Sequence, residues 1–392
     1  MKVLFSHDHM FFKYNEIFYS NGGLSYTVLK RYIDVFKNIT VISRQFSCEN
    51  SDQIKGLTLA SGKGVNFISV PNFKSLKKFP LYGKAIKIIE NEVKNSDIII
   101  ARVPSSISYL VIKSAIKYNK PYLVEVVGCA WDANKNHGSF IGKFLAPYSY
   151  FKMKNVVKNA PYVIYITKEF LQKRYPNDKI TTICPNVKIE EVSIDVLENR
   201  LEKIRNLNTA QTIKLGLIGS LDVNYKGHDI VILAIKKLKE MGLDIKVEFV
   251  GKGDKTRWVN LAKLSGVEDN IIFKGSLPSG SAIYSWIDSL DMMVQPSSAE
   301  AQGRSIIEGM SRGCPMIATR VGGIVELINH DLLIKAGDYD ELAEKIKKLI
   351  QNLLEMEKSS IENFNEAKQY YNNKIEATRY NFLTKYKDDN NG

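Results

Sequence analysis

Short apolar runs recur along this chain, each closed by glycine, proline or a polar turn, and the stretches between them carry apolar residues three and four apart. In the first half the runs are MKVLFSH at the start, NITVIS (38–43), VNFISV (65–70), SDIIIARV (96–103), PYLVEVVG (121–128) and PYVIYIT (161–167). Helical periods such as LSYTVLKRYIDVF, GKAIKIIENEVKN and ISYLVIKSAIKYN separate them. A second series begins at IKLGLIG (213–219) and continues through DIKVEFVG and NIIFKGSL. Strands alternating with helices predict α/β architecture with a parallel, doubly wound sheet. A length of 392 residues exceeds what one core usually fills, so two such domains are expected.

Charge divides the two halves. Residues 1–190 hold 28 Lys and Arg against 13 Asp and Glu, a net of +15, and the remainder, 27 against 29, nets −2. A basic half suits phosphorylated substrates or an anionic membrane surface. No zinc-finger spacing or aromatic–basic signature supports nucleic acid, and the alternative is a lysine-rich solvated face. Four cysteines without CxxC spacing predict neither a disulfide framework nor a zinc site. No run reaches the roughly 18–20 apolar residues of a membrane span, and the first strand is too short for a signal peptide. A cytoplasmic protein is expected, peripheral on the inner membrane at most.

The most informative stretch is 293–328, MVQPSSAEAQGRSIIEGMSRGCPMIATRVGGIVELI. It reads as a strand, a loop carrying Glu300, a helix opening near Gly303 with Glu308 in its first turns, a buried strand, and a Gly-Gly turn into another helix. Loops over the carboxyl ends of parallel strands are where such sheets bind ligands. The amides of Gly303, Arg304 and Ser305 at the helix N-terminus suit a diphosphate. One carboxylate can accept two ribose hydroxyls while the other meets a sugar. The plain alternative is that glutamates near a helix start are favoured by the dipole alone.

The whole string, with its proline and glycines in place, resembles the donor-site signature of the family 4 (group 1) glycosyltransferases of GT-B fold, retaining enzymes that include those of bacterial capsule and O-antigen assembly. The resemblance implies two Rossmann-like domains facing across a cleft. It implies an acceptor-binding domain over 1–190, a charged linker over 191–210, a nucleotide-sugar domain over 211–370, and a last helix over 371–392 returning to the first domain. It also implies roles. Glu300 would hold the donor sugar and Glu308 the ribose. Gly219 and the residue after it, with Lys226, would face the diphosphate, and the backbone at Gly275, Ser276 and Leu277 would meet the base. The family usually has Arg after that first glycine. Here Ser220 stands there, and Arg304 is the candidate for the missing charge. Gly22 and Gly23 resemble the family's N-terminal glycine loop.

Other candidates are weaker. The strand MKVLFSH ends at His7-Asp8-His9 and opens a long loop to Gly22. Those histidines lack a third ligand for a metal. Many relatives place a His where Gly128 stands, which leaves Asp132 and His137 as candidates for the acceptor or donor sugar and Arg102 as a further one. The basic, aromatic segment 71–83 is a candidate for acceptor or membrane contact. Gly251-Lys-Gly253 lacks the third glycine of a dinucleotide fingerprint. No DxD motif is clear in a donor loop, and this fold generally works without metal, so no cofactor is expected beyond the nucleotide diphosphate-sugar itself. The expected reaction moves a sugar to a saccharide acceptor, carried on a polyprenyl diphosphate or another group. The alternatives are an epimerase or hydrolase of the same fold, or a non-catalytic nucleotide-sugar-binding protein.

Overall fold

A computed structural model of the chain describes residues 1–73, 80–135, 140–208 and 210–391. They form two compact units, Met1–Asn186 with Ile375–Gly392, and Val187–Lys374.

In unit 1 the strands are β1 (Val3–Tyr14), β2 (Ile17–Ser20), β3 (Ile39–Ser47), β4 (Thr58–Leu59), β5 (Val65–Ser69), β6 (Ile98–Val103), β7 (Tyr122–Val126), β8 (Tyr162–Tyr165) and β9 (Ile180–Ile183). The helices are α1 (Tyr26–Phe36), α2 (Pro80–Lys94), α3 (Ser106–Lys117), α4 (Ala130–Lys135), α5 (Phe140–Asn159) and α6 (Phe170–Arg174). The parallel strands run β5-β3-β1-β6-β7-β8-β9, and β2 and β4 join antiparallel beyond β1. β6 and β7 are buried along their full length, as continuous apolar runs in a two-faced parallel sheet must be.

Unit 2 holds α7 (Ile194–Arg205), then β10 (Ile213–Ile218), α8 (His228–Glu240), β11 (Ile245–Val250), α9 (Thr256–Leu264), β12 (Ile271–Gly275), α10 (Ser281–Ser289), β13 (Met292–Gln295), α11 (Arg304–Ser311), β14 (Met316–Thr319), β15 (Leu333–Ile334), α12 (Tyr339–Ile350) and α13 (Leu353–Ala367). Its strand order is β12-β11-β10-β13-β14-β15, reversing between β10 and β13. Polar caps set helix starts: Asp338 and Asn352 accept from the backbone N–H of Glu341 and Glu355 three residues on. The last helix, α14 (Asn372–Asp388), belongs from Ile375 to unit 1.

Three expectations change. The loop expected after His9 is strand: β1 runs on to Tyr14 and turns into β2. The polar triplet His7–His9 sits in a bulge, where the register with β3 shifts between Ser6 and Met10. The linker expected over 191–210 contains α7, whose Leu197 and Ile204 are buried in unit 2. Its Arg200 is buried too, donating to the carbonyls of Leu290 (2.5 Å) and Ile287 (2.9 Å). After Gly322-Gly323 a short 3-10 turn (Gly322–Glu326) forms where a helix was expected.

A buried carboxylate organises unit 1. Glu125 on β7 is 1% exposed and meets the Arg379 guanidinium of α14 at 3.0 Å. Arg102 on β6 lies at 3.2 Å, and the Tyr32 hydroxyl donates to both Glu125 oxygens at 2.8 Å. Burial would raise the Glu125 carboxyl, but Arg379, Arg102 and Arg31 overrule it and hold it below the usual carboxylate range. Arg379 also donates to the carbonyls of Cys184 and Pro185. Replacing Arg379 by Ala leaves this charge buried and under-compensated, at a cost of about 3–5 kcal/mol in urea unfolding. The double variant Glu125→Gln/Arg379→Met should recover a large part of that loss, and equal losses in both would show that the ion pair is not the cause.

Candidate functional site

Parallel strands point their carboxyl ends one way, and where the strand order reverses the following loops part and leave a crevice. In unit 2 that point lies between β10 and β13, and a cavity of about 370 Å³ sits there. Its walls include Gly219, Ser220 and Lys226 after β10, Ser276 and Leu277 after β12, and Glu300, Arg304, Ser305 and Glu308 after β13. Two other expected residues frame it. Gly303 is the left-handed N-cap of α11, and Gly275 ends β12, its carbonyl accepting from the Gly251 N–H.

The loop carrying Glu300 is held from several sides. The Lys226 ammonium donates to its carboxylate, with both side chains mostly buried. The Ser297 hydroxyl reaches the same oxygen at 3.3 Å. Behind Ser297 lies a buried chain: Gln295 donates to Ser297 at 2.9 Å and accepts from the Ser305 hydroxyl at 2.9 Å. The Ser305 side chain therefore ties α11 to the end of β13. Below, Gly322 adopts φ 55°, and a Cβ there would stand 1.7 Å from the Glu300 carbonyl oxygen. Gly227 likewise has φ 80° and would place a Cβ 2.3 Å from the Pro296 carbonyl. Glycine at these two positions lets the loops after β10 and β14 close on the loop after β13.

Electrostatics distinguish the two glutamates. Glu300 has an ammonium partner. Burial pushes the Glu308 carboxyl above its ordinary range, against the pull of the exposed Arg304 guanidinium. A ligand bringing hydroxyl donors would relieve that desolvation, and one bringing an anion would meet Lys226, Arg304 and the first N–H groups of α11. Beneath Lys226, His228 is fully buried and stacks on Trp258 at 5.1 Å. Burial, with Arg257 and Lys226, pushes its imidazole down to about 4, so it is neutral near pH 7.

Sequence reasoning missed Lys252, Ser279 and Ile283 in the cavity wall and the Gln295–Ser297 chain behind it. Lys252 lay in the dismissed glycine motif. A glutamine ending a buried apolar strand was the available signal for the Gln295–Ser297 chain.

The weaker candidates fall in unit 1. Arg102 is the ion-pair partner of Glu125, and Asp132 on α4 is bound by Arg174 at 3.1 Å. Gly22 and Gly23 lie between β2 and α1, with His9 against Gly23. His137 lies outside the described residues, as does 74–79 of the basic segment 71–83. Unit 1 has its own reversal between β1 and β6, and there His7 and Arg102 follow the paired residues Ser6 and Ala101. Burial, then Arg102, pushes His7 down to about 3, and burial, then Arg102 and Arg44, pushes His9 down to about 4. Among the described residues no three His, Cys, Asp or Glu gather as a metal-binding set, and no helix is long and apolar enough to cross a membrane.

The glycine under Glu300 gives a direct test. Gly322→Ala should displace the Glu300 loop, destabilise the fold by about 1–3 kcal/mol in chemical denaturation, and weaken ligand binding at the cavity. Unchanged binding would mean that the Glu300 backbone position is immaterial.

Comparison with known proteins is consistent with this geometry. The family described as Glycosyl transferases group 1 matches residues 212–352. Protein CapJ of Staphylococcus aureus is 34% identical over 388 residues, covering 99% of this chain and 96% of CapJ. Among solved structures, Anabaena HepE in complex with UDP-glucose aligns with a TM-score of 0.63 at 17% identity, covering 99% of this chain and 100% of HepE. WaaG, a glycosyltransferase involved in lipopolysaccharide biosynthesis, aligns with a TM-score of 0.61 at 18% identity over 100% of both chains. These structural likenesses give the fold, GT-B, with a Rossmann-like sheet in each unit.

Proposed function

Since the chain belongs to the group 1 glycosyl transferases, we propose that it moves a sugar, with retention of anomeric configuration, from a nucleotide diphosphate-sugar to a lipid-linked saccharide in surface-polysaccharide assembly. The observation that carries this reading is the unit 2 cavity, which brings Glu300 and Glu308 together with Lys226 and Arg304 at the strand-order reversal. Glu308 takes the ribose hydroxyls, and its desolvated carboxyl gains from them. Glu300 holds hydroxyls of the donor sugar. Lys226, Arg304 and the α11 amides stabilise the departing diphosphate by charge fixed in place beforehand. Gly275, Ser276 and Leu277 face the base, and Ser220 contributes a hydroxyl where relatives carry a cation. HepE's complex with UDP-glucose and WaaG's part in lipopolysaccharide biosynthesis support the donor class and the setting. The acceptor, on a polyprenyl diphosphate carrier, belongs to unit 1 at the cytoplasmic face of the membrane.

Nucleotide release from UDP-, GDP- and ADP-sugars, with and without a lipid-linked acceptor extract, tests the reaction. Release from one donor that depends on acceptor is expected. Acceptor-independent release would replace the transferase reading with hydrolysis or epimerisation. Arg304→Ala should lower turnover about 10²–10³-fold with little change in unfolding midpoint. Unchanged turnover would end its role as the replacement cation.

Because protein cations serve the diphosphate in this scheme, we propose transfer without metal. Turnover should survive EDTA, and a loss restored by magnesium or manganese would overturn that part.

A further inference from the structure

Among the described residues, three cations and two carboxylates line the unit 2 cavity. Glu300 and Glu308 are matched in number by Lys226 and Arg304, and the Lys226 ammonium is already engaged by Glu300. The diphosphate of a nucleotide-sugar carries a negative charge on each phosphate. A wall whose formal charges cancel gives it little net attraction. The surplus cation is Lys252. It is exposed at the cavity wall, and among the described residues its ammonium meets no carboxylate and no hydrogen-bond acceptor.

An exposed lysine is ordinarily only solvated, but the backbone of this one is fixed. Its carbonyl accepts from the Leu221 N–H at 2.7 Å and from the Ser220 hydroxyl at 3.3 Å. Two further bonds join the same loops. The Asp254 N–H donates to Asp222 at 2.9 Å, and Arg257 on α9, laid over the Trp258 ring, donates to the Leu221 carbonyl at 2.6 Å. The loop after β11 is thereby fastened to the loop after β10 at Ser220, where the family usually has arginine. The serine lacks that charge, and its hydroxyl holds the backbone of the neighbouring lysine instead. Strand order then spaces the cations. β11, β10 and β13 are consecutive in the sheet, so Lys252 and Arg304 enter the cavity from opposite flanks of the loop that carries Lys226.

We infer that Lys252 is a cation for the donor's diphosphate and stands in for the arginine that Ser220 replaces. This deepens the proposed function and rests on its reading of the cavity. Lys252 makes the wall net positive, whereas Arg304 only balances the glutamates. A lysine on a flexible stem acts there as a point charge, so its contribution depends on charge more than on shape.

Titration calorimetry of the full chain with UDP, GDP and ADP, and competition by the nucleoside of whichever binds, tests the inference. Lys252→Gln should weaken the nucleoside diphosphate about tenfold or more and leave the nucleoside unchanged. Lys252→Arg should keep most of the affinity, and Ser220→Arg/Lys252→Gln should recover what Lys252→Gln loses. Unfolding midpoints should be unchanged in Lys252→Gln. Wild-type affinity for the diphosphate in Lys252→Gln overturns the inference. Equal weakening of diphosphate and nucleoside also overturns it, since that assigns the lysine to the shape of the wall. A double variant that binds no tighter than Lys252→Gln removes the claim that Lys252 replaces the arginine. A wild type that binds none of the three diphosphates would instead sink the donor-site reading itself, and the role of Lys252 with it.

Discussion

A parallel sheet whose strand order reverses sends the loops after its two central strands in opposite directions, and the gap between them cannot be filled by either neighbouring helix. Both units of this chain are built on that constraint. In unit 2 the gap lies between β10 and β13, and every charged group assigned to the donor comes from the loops or helix starts around it. In unit 1 the equivalent place holds His7 and Arg102, neighbours because Ser6 and Ala101 pair across β1 and β6. The chemistry is local to a few loops, and the two sheets exist to hold those loops still.

Holding them still takes more than the sheet. Glu300 sits on a stretch without regular structure, where a carboxylate would ordinarily be mobile and solvated. Lys226, Ser297 and the glycine turn beneath it remove that freedom from three directions. The Gln295–Ser297–Ser305 chain then joins the strand end to α11, so Glu300 and Glu308 keep a fixed separation. Polar groups are buried to achieve this, and each is satisfied by the next.

Much of this was legible in the sequence, for a physical reason. Strands of a two-faced parallel sheet are unbroken apolar runs, and the loops at their carboxyl ends are punctuated by glycine and charge, so Gly219, Lys226, Glu300, Gly303 and Glu308 stood out. What was hidden depends on partners distant in sequence. His7-Asp8-His9 looks like a strand end because its side chains are polar, yet the strand continues because β3 and the Arg44–Asp8 ion pair receive them. Residues 191–210 look like a linker because they are charged. They fold as α7 because Arg200 is consumed by carbonyls nearly ninety positions away.

Arg379 donates to Glu125 across 254 residues of sequence. During synthesis at about 5–20 residues per second, those residues take roughly 13–50 s to appear. For that interval unit 1 carries a buried carboxylate without its strongest partner, while all of unit 2 is made and is free to fold. The half of the protein that begins first on the ribosome is therefore the half that finishes last. A nascent chain that stalls before residue 379 leaves an N-terminal half whose central carboxylate keeps Arg102 and Tyr32 but lacks the guanidinium that α14 brings to it.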